Sequence, residues 1–287
     1  MLRCRLGAAA ISAVGVALVV LVTSACSVPA ARNGAATPPP GATAAPSKPS
    51  KQPKPSPSAK PKPTPTVPKL TGSVVPVNLP PQAGIGPFGS IKSTGSASIA
   101  LTFDDGPDPV YTPKMLDLLK KQGVKATFCV VGTRAARYPE LVKRIVADGH
   151  TICNHTWQHR MDLGKQSKEV ILTDLRDTNK AILEAAPRAK IKYFRAPGGY
   201  FSPQLVELAA ALGMKSVYWS LDTRDWEFVK YDHGQPMVDH ILETVQSGAR
   251  RGSIILAHDF HKPDTVIAFT ALVPWLKKYF KLIALPT

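Results

Sequence analysis

From residue 97 onward, the chain alternates short apolar runs rich in β-branched and aromatic residues with longer segments of helical periodicity. The strand-like runs span residues 98–103, 126–131, 150–153, 191–194, 215–219, 253–257 and 281–284. The helix-like segments lie near residues 112–122, 138–148, 167–186, 203–212, 236–249 and 264–279. This alternation predicts repeated βα units around a parallel sheet, and therefore a fold of the α/β class. An incomplete barrel and a doubly wound sheet both fit the pattern.

Polar residues capable of catalysis follow directly after several of the predicted strands. They occur in residues 102–107, 154–159, 195–200, 222–226 and 256–259. In sheets of this class, active-site residues gather at the carboxyl ends of the strands. Because polar groups are costly to bury without partners, their concentration at one rim predicts an active site there.

Two histidines and a pair of aspartates in these segments suggest a metal site. His155 and His159 are four residues apart, so one helical turn would place both imidazoles on one side. With a carboxylate from Asp104 or Asp105 they would supply three ligands and leave positions open for water and substrate. Adjacent like charges raise one pKa unless a cation intervenes. We therefore expect one aspartate to bind the metal and the other to act as a base, held ionised by Arg195.

With these motifs in place, the domain resembles the NodB-type polysaccharide deacetylases of carbohydrate esterase family 4, whose five motifs occur in order across about residues 97–284. The resemblance implies a distorted (β/α)7 barrel and a divalent metal, most commonly zinc, with cobalt, nickel or other ions as alternatives. It matches Asp105, His155 and His159 to the metal ligands. It also matches Asp104 to the catalytic base.

The same resemblance assigns the remaining catalytic residues and the pocket. Arg195 matches the arginine that orients the base, His258 the catalytic acid, and Asp225 the aspartate that pairs with this acid. The resemblance further implies pocket or oxyanion roles for a set of four residues, namely Gly198, Tyr200, Trp226 and Leu256. Many members carry an aromatic residue after the motif proline, where this chain has Gly198. We therefore expect a different rim shape and draw no substrate choice from it.

The N-terminal region predicts export. Arg3 and Arg5 precede an apolar run over residues 6–22, which is short for a membrane span of about 20 residues. The segment that ends at Cys26 resembles a bacterial lipobox, so residues 1–26 read as a signal peptide with lipidation at Cys26. Cleavage nearby without lipidation is the alternative. The protein would then lie on the outer face of the cytoplasmic membrane as a lipoprotein, or be secreted into the cell wall.

Residues 27–70 are rich in Pro, Ala, Ser, Thr and Lys and contain no acidic or aromatic residue. Such a composition predicts a disordered, extended linker. Residues 71–96 would form a transition arm, followed by the deacetylase domain over residues 97–284. All 20 acidic residues lie at or after Asp104, whereas ten basic residues precede it. The basic region before Asp104 predicts attraction to an anionic wall polymer or membrane surface. The export signal argues against nucleic acid as the partner.

Two cysteines, Cys129 and Cys153, lie in apolar strand-like runs. Outside the cytoplasm they could pair, but two buried thiols are the simpler interpretation, and we expect that state. Among the tryptophans, Trp219 reads as a core residue, whereas Trp157 and Trp226 could line a sugar groove.

Taken together, the sequence predicts a monomeric, metal-dependent enzyme that removes acetyl groups from N-acetylated sugars of a cell-wall polysaccharide, and peptidoglycan is the favoured substrate. The alternatives are a chitooligosaccharide deacetylase and an acetylxylan-type esterase of the same fold, since metal and base serve both amide and ester hydrolysis. A non-catalytic glycan-binding lipoprotein is the third alternative, although such a binder has no need for Asp104 and His258.

Overall fold

The structure is a computed structural model, and it describes residues 66–67 and 83–287. The predicted signal peptide, Cys26 and all of the predicted linker except Thr66 and Val67 lie outside the described residues. Within the described residues, none of the helices combines the length and apolar character needed to span a bilayer.

Each predicted strand has a counterpart in the structure, and one further short strand is present. The strands are β1 (Ile99–Asp104), β2 (Thr127–Val130), β3 (Thr151–Asn154), β4 (Tyr193–Phe194), β5 (Lys215–Ser216), β6 (Leu221–Asp222), β7 (Ile254–His258) and β8 (Leu282–Ile283). The strand that the pattern missed, β6, has only two residues, which is too short for an alternating or apolar run to be recognised.

The predicted helices are also present, together with two short ones. They are α1 (Tyr111–Gln122), α2 (Gly132–Arg137), α3 (Pro139–Ala147), α4 (Lys168–Ala185), α5 (Pro203–Ala211), α6 (Phe228–Tyr231), α7 (Gln235–Gly248) and α8 (Pro263–Tyr279). The helices α2 and α6 escaped prediction because neither is long enough to show a helical period.

The sheet is wholly parallel, with the strand order β5-β4-β3-β2-β1-β7-β6, and β8 pairs with the start of β1. The order runs around a ring, because β1 lies between β2 and β7 and the order does not reverse as it does in a doubly wound sheet. The structure therefore has the distorted (β/α)7 barrel arrangement. The described strands leave an opening between β5 and β6.

Residues 91–94 of the predicted arm bridge the two sides of this opening. Ile91 forms a parallel bridge with Val217, just after β5, and Ser93 forms an antiparallel bridge with Ser253, just before β7. The Ile91 N–H donates to the carbonyl oxygen of Ser216 at 2.8 Å. These contacts connect the segment to backbone groups that the open edges leave unpaired.

Inside the barrel, Cys129 and Cys153 form a disulfide, so the expectation of two free thiols is wrong. The two residues lie directly opposite each other on β2 and β3, with their Cα atoms 4.2 Å apart. Both side chains pack in a small apolar cluster with Tyr193 and Leu285. The register of the two strands, which the sequence does not reveal, brings the sulfur atoms together.

Candidate active site

The carboxyl ends of the strands form one rim, where the structure brings together the polar residues that follow them. Asp104 is the last residue of β1 and His258 the last residue of β7, and the two are direct partners in the β1–β7 ladder. His155 directly follows β3 and Arg195 directly follows β4. Side chains from distant parts of the sequence therefore meet because their strands are neighbours in the sheet.

A cavity of about 310 Å³ opens at this rim. Of the predicted site residues, the cavity wall contains Asp104, Asp105, His155, His159, Gly198, Tyr200, Trp226, Leu256 and His258. Arg195 and Asp225 do not line the cavity but lie behind it, almost completely buried. Three further residues line it that were not predicted to do so, namely Met161, Trp219 and Asp222.

Asp105, His155 and His159 form a cluster whose ligand atoms all lie within 4.8 Å of one another. The Asp105 Oδ1 atom lies 3.0 Å from Nε2 of His159 and 3.4 Å from Nε2 of His155. This oxygen is buried and accepts no hydrogen bond of good geometry. A buried acceptor is normally satisfied, so the oxygen is placed to bind a cation.

The tautomer of His155 points to the same conclusion. Its Nδ1 lies 2.8 Å from the carbonyl oxygen of Arg195. A carbonyl oxygen only accepts hydrogen bonds, so Nδ1 carries a proton, and Nε2, which faces Asp105, is the ring nitrogen that could bind a metal. A cation placed between this nitrogen and the Asp105 carboxylate would be bound by both. The residues present therefore fit a divalent metal.

The backbone and charge of Asp105 also suit a ligand. Its φ angle of 75° lies in the left-handed region, which non-glycine residues rarely adopt and which turns the side chain toward the histidines. Burial alone would raise the pKa of the Asp105 carboxyl, but the imidazoles of His155 and His159 hold that pKa well below its ordinary value. The carboxylate is therefore ionised and available as a ligand at neutral pH.

The helical turn expected between His155 and His159 is absent. Residues 155–160 have no helical hydrogen bonding, and Thr156 and His159 have φ angles of 66° and 58°. The two rings still come together, with their centroids 5.0 Å apart. An irregular loop therefore achieves what the four-residue spacing suggested for a helix.

Asp104 lies beside the cluster and is held by a buried guanidinium. Arg195 is fully buried, and its Nη1 donates to Asp104 Oδ1 at 2.7 Å and to Thr102 Oγ1 at 2.9 Å. The other carboxylate oxygen, Oδ2, lies 3.7 Å from His155 Nε2. Arg195 thus fixes one oxygen of Asp104 and leaves the other directed at the cavity.

His258 is oriented by Asp225 through a short hydrogen bond. The distance from His258 Nδ1 to Asp225 Oδ1 is 2.6 Å, and the backbone N–H of His258 and the hydroxyl of Thr265 both donate to Asp225 Oδ2. Burial alone would lower the pKa of His258, but the Asp225 carboxylate raises it to about 10. His258 is therefore a protonated imidazolium at neutral pH and can donate from Nε2.

The predicted pocket residues surround the opening. Leu256 is buried on β7, whereas Tyr200 and Trp226 are exposed. Gly198 has a φ angle of 59°, and a Cβ atom there would lie 2.8 Å from both Met161 Cε and the Tyr200 ring. The positive φ angle and this close approach both favour glycine at position 198.

Of the three cavity residues missed by sequence analysis, Asp222 had a usable signal. Asp222 follows an apolar run three residues before Asp225, and its carboxylate accepts from Trp226 Nε1 at 3.3 Å. Trp219 was expected in the core, but it is only half-buried because it lies at the cavity wall, stacked on Tyr218. No pattern in the sequence singles out Met161. Trp157, considered for a sugar groove, lies outside this cavity and contributes to a separate surface cleft.

Comparison with known proteins identifies the family of this chain. A family profile described as polysaccharide deacetylase matches residues 91–217. A chitooligosaccharide deacetylase from Sinorhizobium fredii is 40% identical over 197 residues, which cover 64% of this chain and 88% of the relative. A peptidoglycan-N-acetylglucosamine deacetylase from Bacillus cereus is 39% identical over 184 residues, which cover 63% of this chain and 82% of the relative.

The solved structures lead to the same family. A peptidoglycan N-acetylglucosamine deacetylase in complex with a hydroxamate-type benzamide superposes with a TM-score of 0.62 and 35% sequence identity, covering 68% of this chain and 90% of that chain. The shared fold and the shared sequence agree. The chain belongs to the polysaccharide deacetylases of carbohydrate esterase family 4.

Proposed function

We propose that this protein is a metal-dependent N-deacetylase that removes acetyl groups from N-acetylated sugars of peptidoglycan. The observation that carries the proposal is the pairing of Asp104 with His258 across β1 and β7, beside the cluster of Asp105, His155 and His159. Amide hydrolysis needs a base for water, an acid for the leaving nitrogen and stabilisation of an oxyanion. The arrangement provides candidates for each role.

The base and acid steps use groups that buried partners already hold in place. Asp104, fixed by Arg195, takes a proton from the water that attacks the acetyl carbonyl carbon. His258, charged through Asp225, gives its proton to the sugar nitrogen as the C–N bond breaks. The products are acetate and a free amine on the sugar. The backbone N–H of Gly198 is our candidate donor to the oxyanion, and Leu256 is our candidate contact for the acetyl methyl group.

Asp105, His155 and His159 would hold the metal, for which we propose Zn²⁺. Two imidazole nitrogens and one carboxylate oxygen are donor types found in catalytic zinc sites, and Co²⁺ and Ni²⁺ accept the same donors. When bound, the cation would supply Lewis-acid polarisation of the carbonyl and lower the pKa of water.

The choice of peptidoglycan rests on the N-terminal sequence and on relatives. Ten basic and no acidic residues precede Asp104, and two of the ten, Arg3 and Arg5, lie within the candidate export signal. A basic segment favours an anionic wall polymer or membrane surface. The B. cereus relative is named for peptidoglycan. We propose that the protein acts as a monomer outside the cytoplasm, either anchored through Cys26 or released into the wall.

Mass spectrometry of wall fragments treated with the purified protein tests the proposal. We expect loss of acetyl groups from N-acetylated sugars, abolished by a chelator and by Asp104→Asn, and unchanged in Asp239→Asn, an exposed aspartate on α7. The fragment masses would also show whether N-acetylglucosamine or N-acetylmuramic acid is modified. Acetate release from acetylated xylan alone would instead indicate an esterase, and glycan binding without acetate release would indicate a non-catalytic binder.

A further inference from the structure

The loop that carries both candidate metal histidines cannot fix its own conformation. Residues 155–159 are irregular, and two of them, Thr156 and His159, have positive φ angles. Such angles are energetically unfavourable for non-glycine residues. They persist only where surrounding groups fix the backbone, so contacts from outside the loop must hold the two imidazoles at their separation.

Backbone groups on α2 hold one side of this loop. The N–H groups of Gly132 and Thr133 donate to the carbonyl oxygens of Thr156 and Trp157, both at 2.9 Å. From the preceding strand, the Asn154 Oδ1 atom accepts from the Thr156 N–H at 2.9 Å. These bonds fix two carbonyl groups and one N–H. The N–H of Trp157, at the middle of the loop, has a different partner.

That partner is Asp174, on the first half of α4. Its Oδ1 atom accepts a hydrogen bond from the Trp157 N–H at 2.8 Å, across 17 residues of sequence. The Asp174 side chain is buried at the helix–loop contact. Trp157 stands midway between His155 and His159, so this bond acts on the loop between the two candidate ligands. Removal of the Asp174 carboxylate would leave the Trp157 N–H without this acceptor, which is unfavourable for a part-buried donor.

We propose that Asp174 is a positioning residue of the metal site, which sets the separation of the His155 and His159 imidazoles by holding the main chain between them. The inference rests on the proposed metal-dependent function. Asp174 does not line the catalytic cavity, whose described wall is formed by other residues. It acts on the metal only through the geometry of the loop, in the manner of groups that orient metal-ligating side chains from behind.

Binding of Co²⁺ alone to the metal-free protein tests this role, because the visible spectrum of Co²⁺ reports coordination geometry as well as affinity. We expect Asp174→Ala and Asp174→Leu to weaken Co²⁺ binding about 10- to 100-fold and to change the spectrum. The leucine variant keeps most of the side-chain volume, so we expect it to fold even if the alanine variant does not. Thermal unfolding of each variant establishes that it is folded at the temperature of the titration.

Two matched variants separate geometry from charge. Asp174→Asn removes the negative charge but keeps an acceptor oxygen for the Trp157 N–H, so we expect Co²⁺ affinity and spectrum close to those of the unsubstituted protein. Asp177→Ala removes an exposed carboxylate one turn further along α4 and should leave both unchanged. Unaltered Co²⁺ binding in folded Asp174→Leu would overturn the inference while leaving the proposed function intact. Equal losses in the asparagine and leucine variants would also overturn it, in favour of a charge effect. An unsubstituted protein that binds no Co²⁺ would contradict both proposals.

Discussion

At the scale of residues, the two groups that would transfer protons each depend on one buried partner. Asp104 is bound to Arg195 and His258 to Asp225, and both partners lie behind the cavity wall. Because these partners do not touch the cavity, their substitution should alter the protonation or placement of the catalytic groups without removing a surface that binds the substrate. Arg195 and Asp225 are therefore informative positions for mutagenesis.

Asp225→Asn should move the alkaline limb of the pH–rate profile. Burial alone would lower the pKa of His258, and the Asp225 carboxylate raises it to about 10. Without that charge, we expect the pKa of His258 to fall by several units, so that the acid is deprotonated at pH 8. Activity at pH 8 should then drop at least about tenfold, measured as kcat/KM between pH 5 and 11.

The direction of the shift is the decisive feature of this experiment. A group with a raised pKa stays protonated to higher pH, so the unsubstituted enzyme should keep its acid up to about pH 10. The Asp225→Asn variant should therefore recover part of its lost activity as the pH is lowered, because His258 becomes protonated again. An alkaline limb that is unmoved in Asp225→Asn would rule out His258 as the proton donor controlled by this carboxylate.

Arg195→Met should destabilise the domain more than a surface substitution does. Arg195 and Asp104 form a buried pair at 2.7 Å, and removal of one partner leaves an uncompensated charge that costs about 3–5 kcal/mol. Urea denaturation measures the loss. The double variant Arg195→Met with Asp104→Asn should recover part of the stability but no activity. If Arg195→Met is as stable as the unsubstituted protein, the pair of Arg195 and Asp104 does not stabilise the domain.

At the scale of elements, the disulfide joins two strands, and the segments that follow these strands form or contact the loop that carries His155 and His159. It links β2 to β3, directly before the segment that carries His155 and His159. Replacing both Cys129 and Cys153 by serine should lower the free energy of unfolding by about 3 kcal/mol, from the loss of a closed loop across a sequence separation of 24. Urea denaturation with and without a reductant measures this effect.

A matched comparison identifies the disulfide as the cause. Reductant should lower the stability of the unsubstituted protein when the protein is unfolded in its presence, and should leave the double-serine variant unchanged. Equal stability of the oxidised protein and the double variant would show that the two sulfur atoms are not joined in solution.

The sequence predicted the long elements well because their signals are local. The apolar runs of β1 and β7 and the periodic faces of α4 and α8 each depend on residues close in sequence. The loop between His155 and His159 was predicted wrongly because its shape is set by Asp174, Gly132 and Thr133 on other elements. Spacing alone cannot distinguish a helical turn from a loop that is held from outside.

At the scale of the whole molecule, a buried carboxyl group should make stability fall as pH rises. Burial, with the charges of Asp105 and Asp108 nearby, raises the pKa of Asp259 from 3.8 to about 7. The folded state therefore binds more protons than the unfolded state between these values, so the contribution to stability is full below about pH 4 and is lost as pH rises through 7. In the metal-free protein, Asp259→Asn should flatten the stability profile over this range, measured by urea denaturation at a series of pH values. A slope identical to that of the unsubstituted protein would contradict the assignment.

The parallel α/β sheet and the choice of candidate residues could be predicted from the sequence, and the family resemblance implied the barrel, but the way the site is held could not be predicted. Strand-end motifs suffice to name Asp104, Asp105 and His258, because parallel strands bring their carboxyl ends to one rim. The disulfide, the bridging of the opening by residues 91–94 and the position of Trp219 at the cavity wall depend on register and packing between elements distant in sequence. Such relations appear only when the strands are in place.

The most direct test is to restore activity to metal-stripped protein by titration with Zn²⁺ while acetate release from an N-acetylated glycan is measured. We expect activity to be absent without metal, to rise linearly and to reach its plateau at one equivalent, with no recovery in a variant that lacks the Asp105 carboxylate. Acetate release that persists in the stripped protein, or full recovery in the Asp105 variant, would contradict a single catalytic cation held by Asp105, His155 and His159.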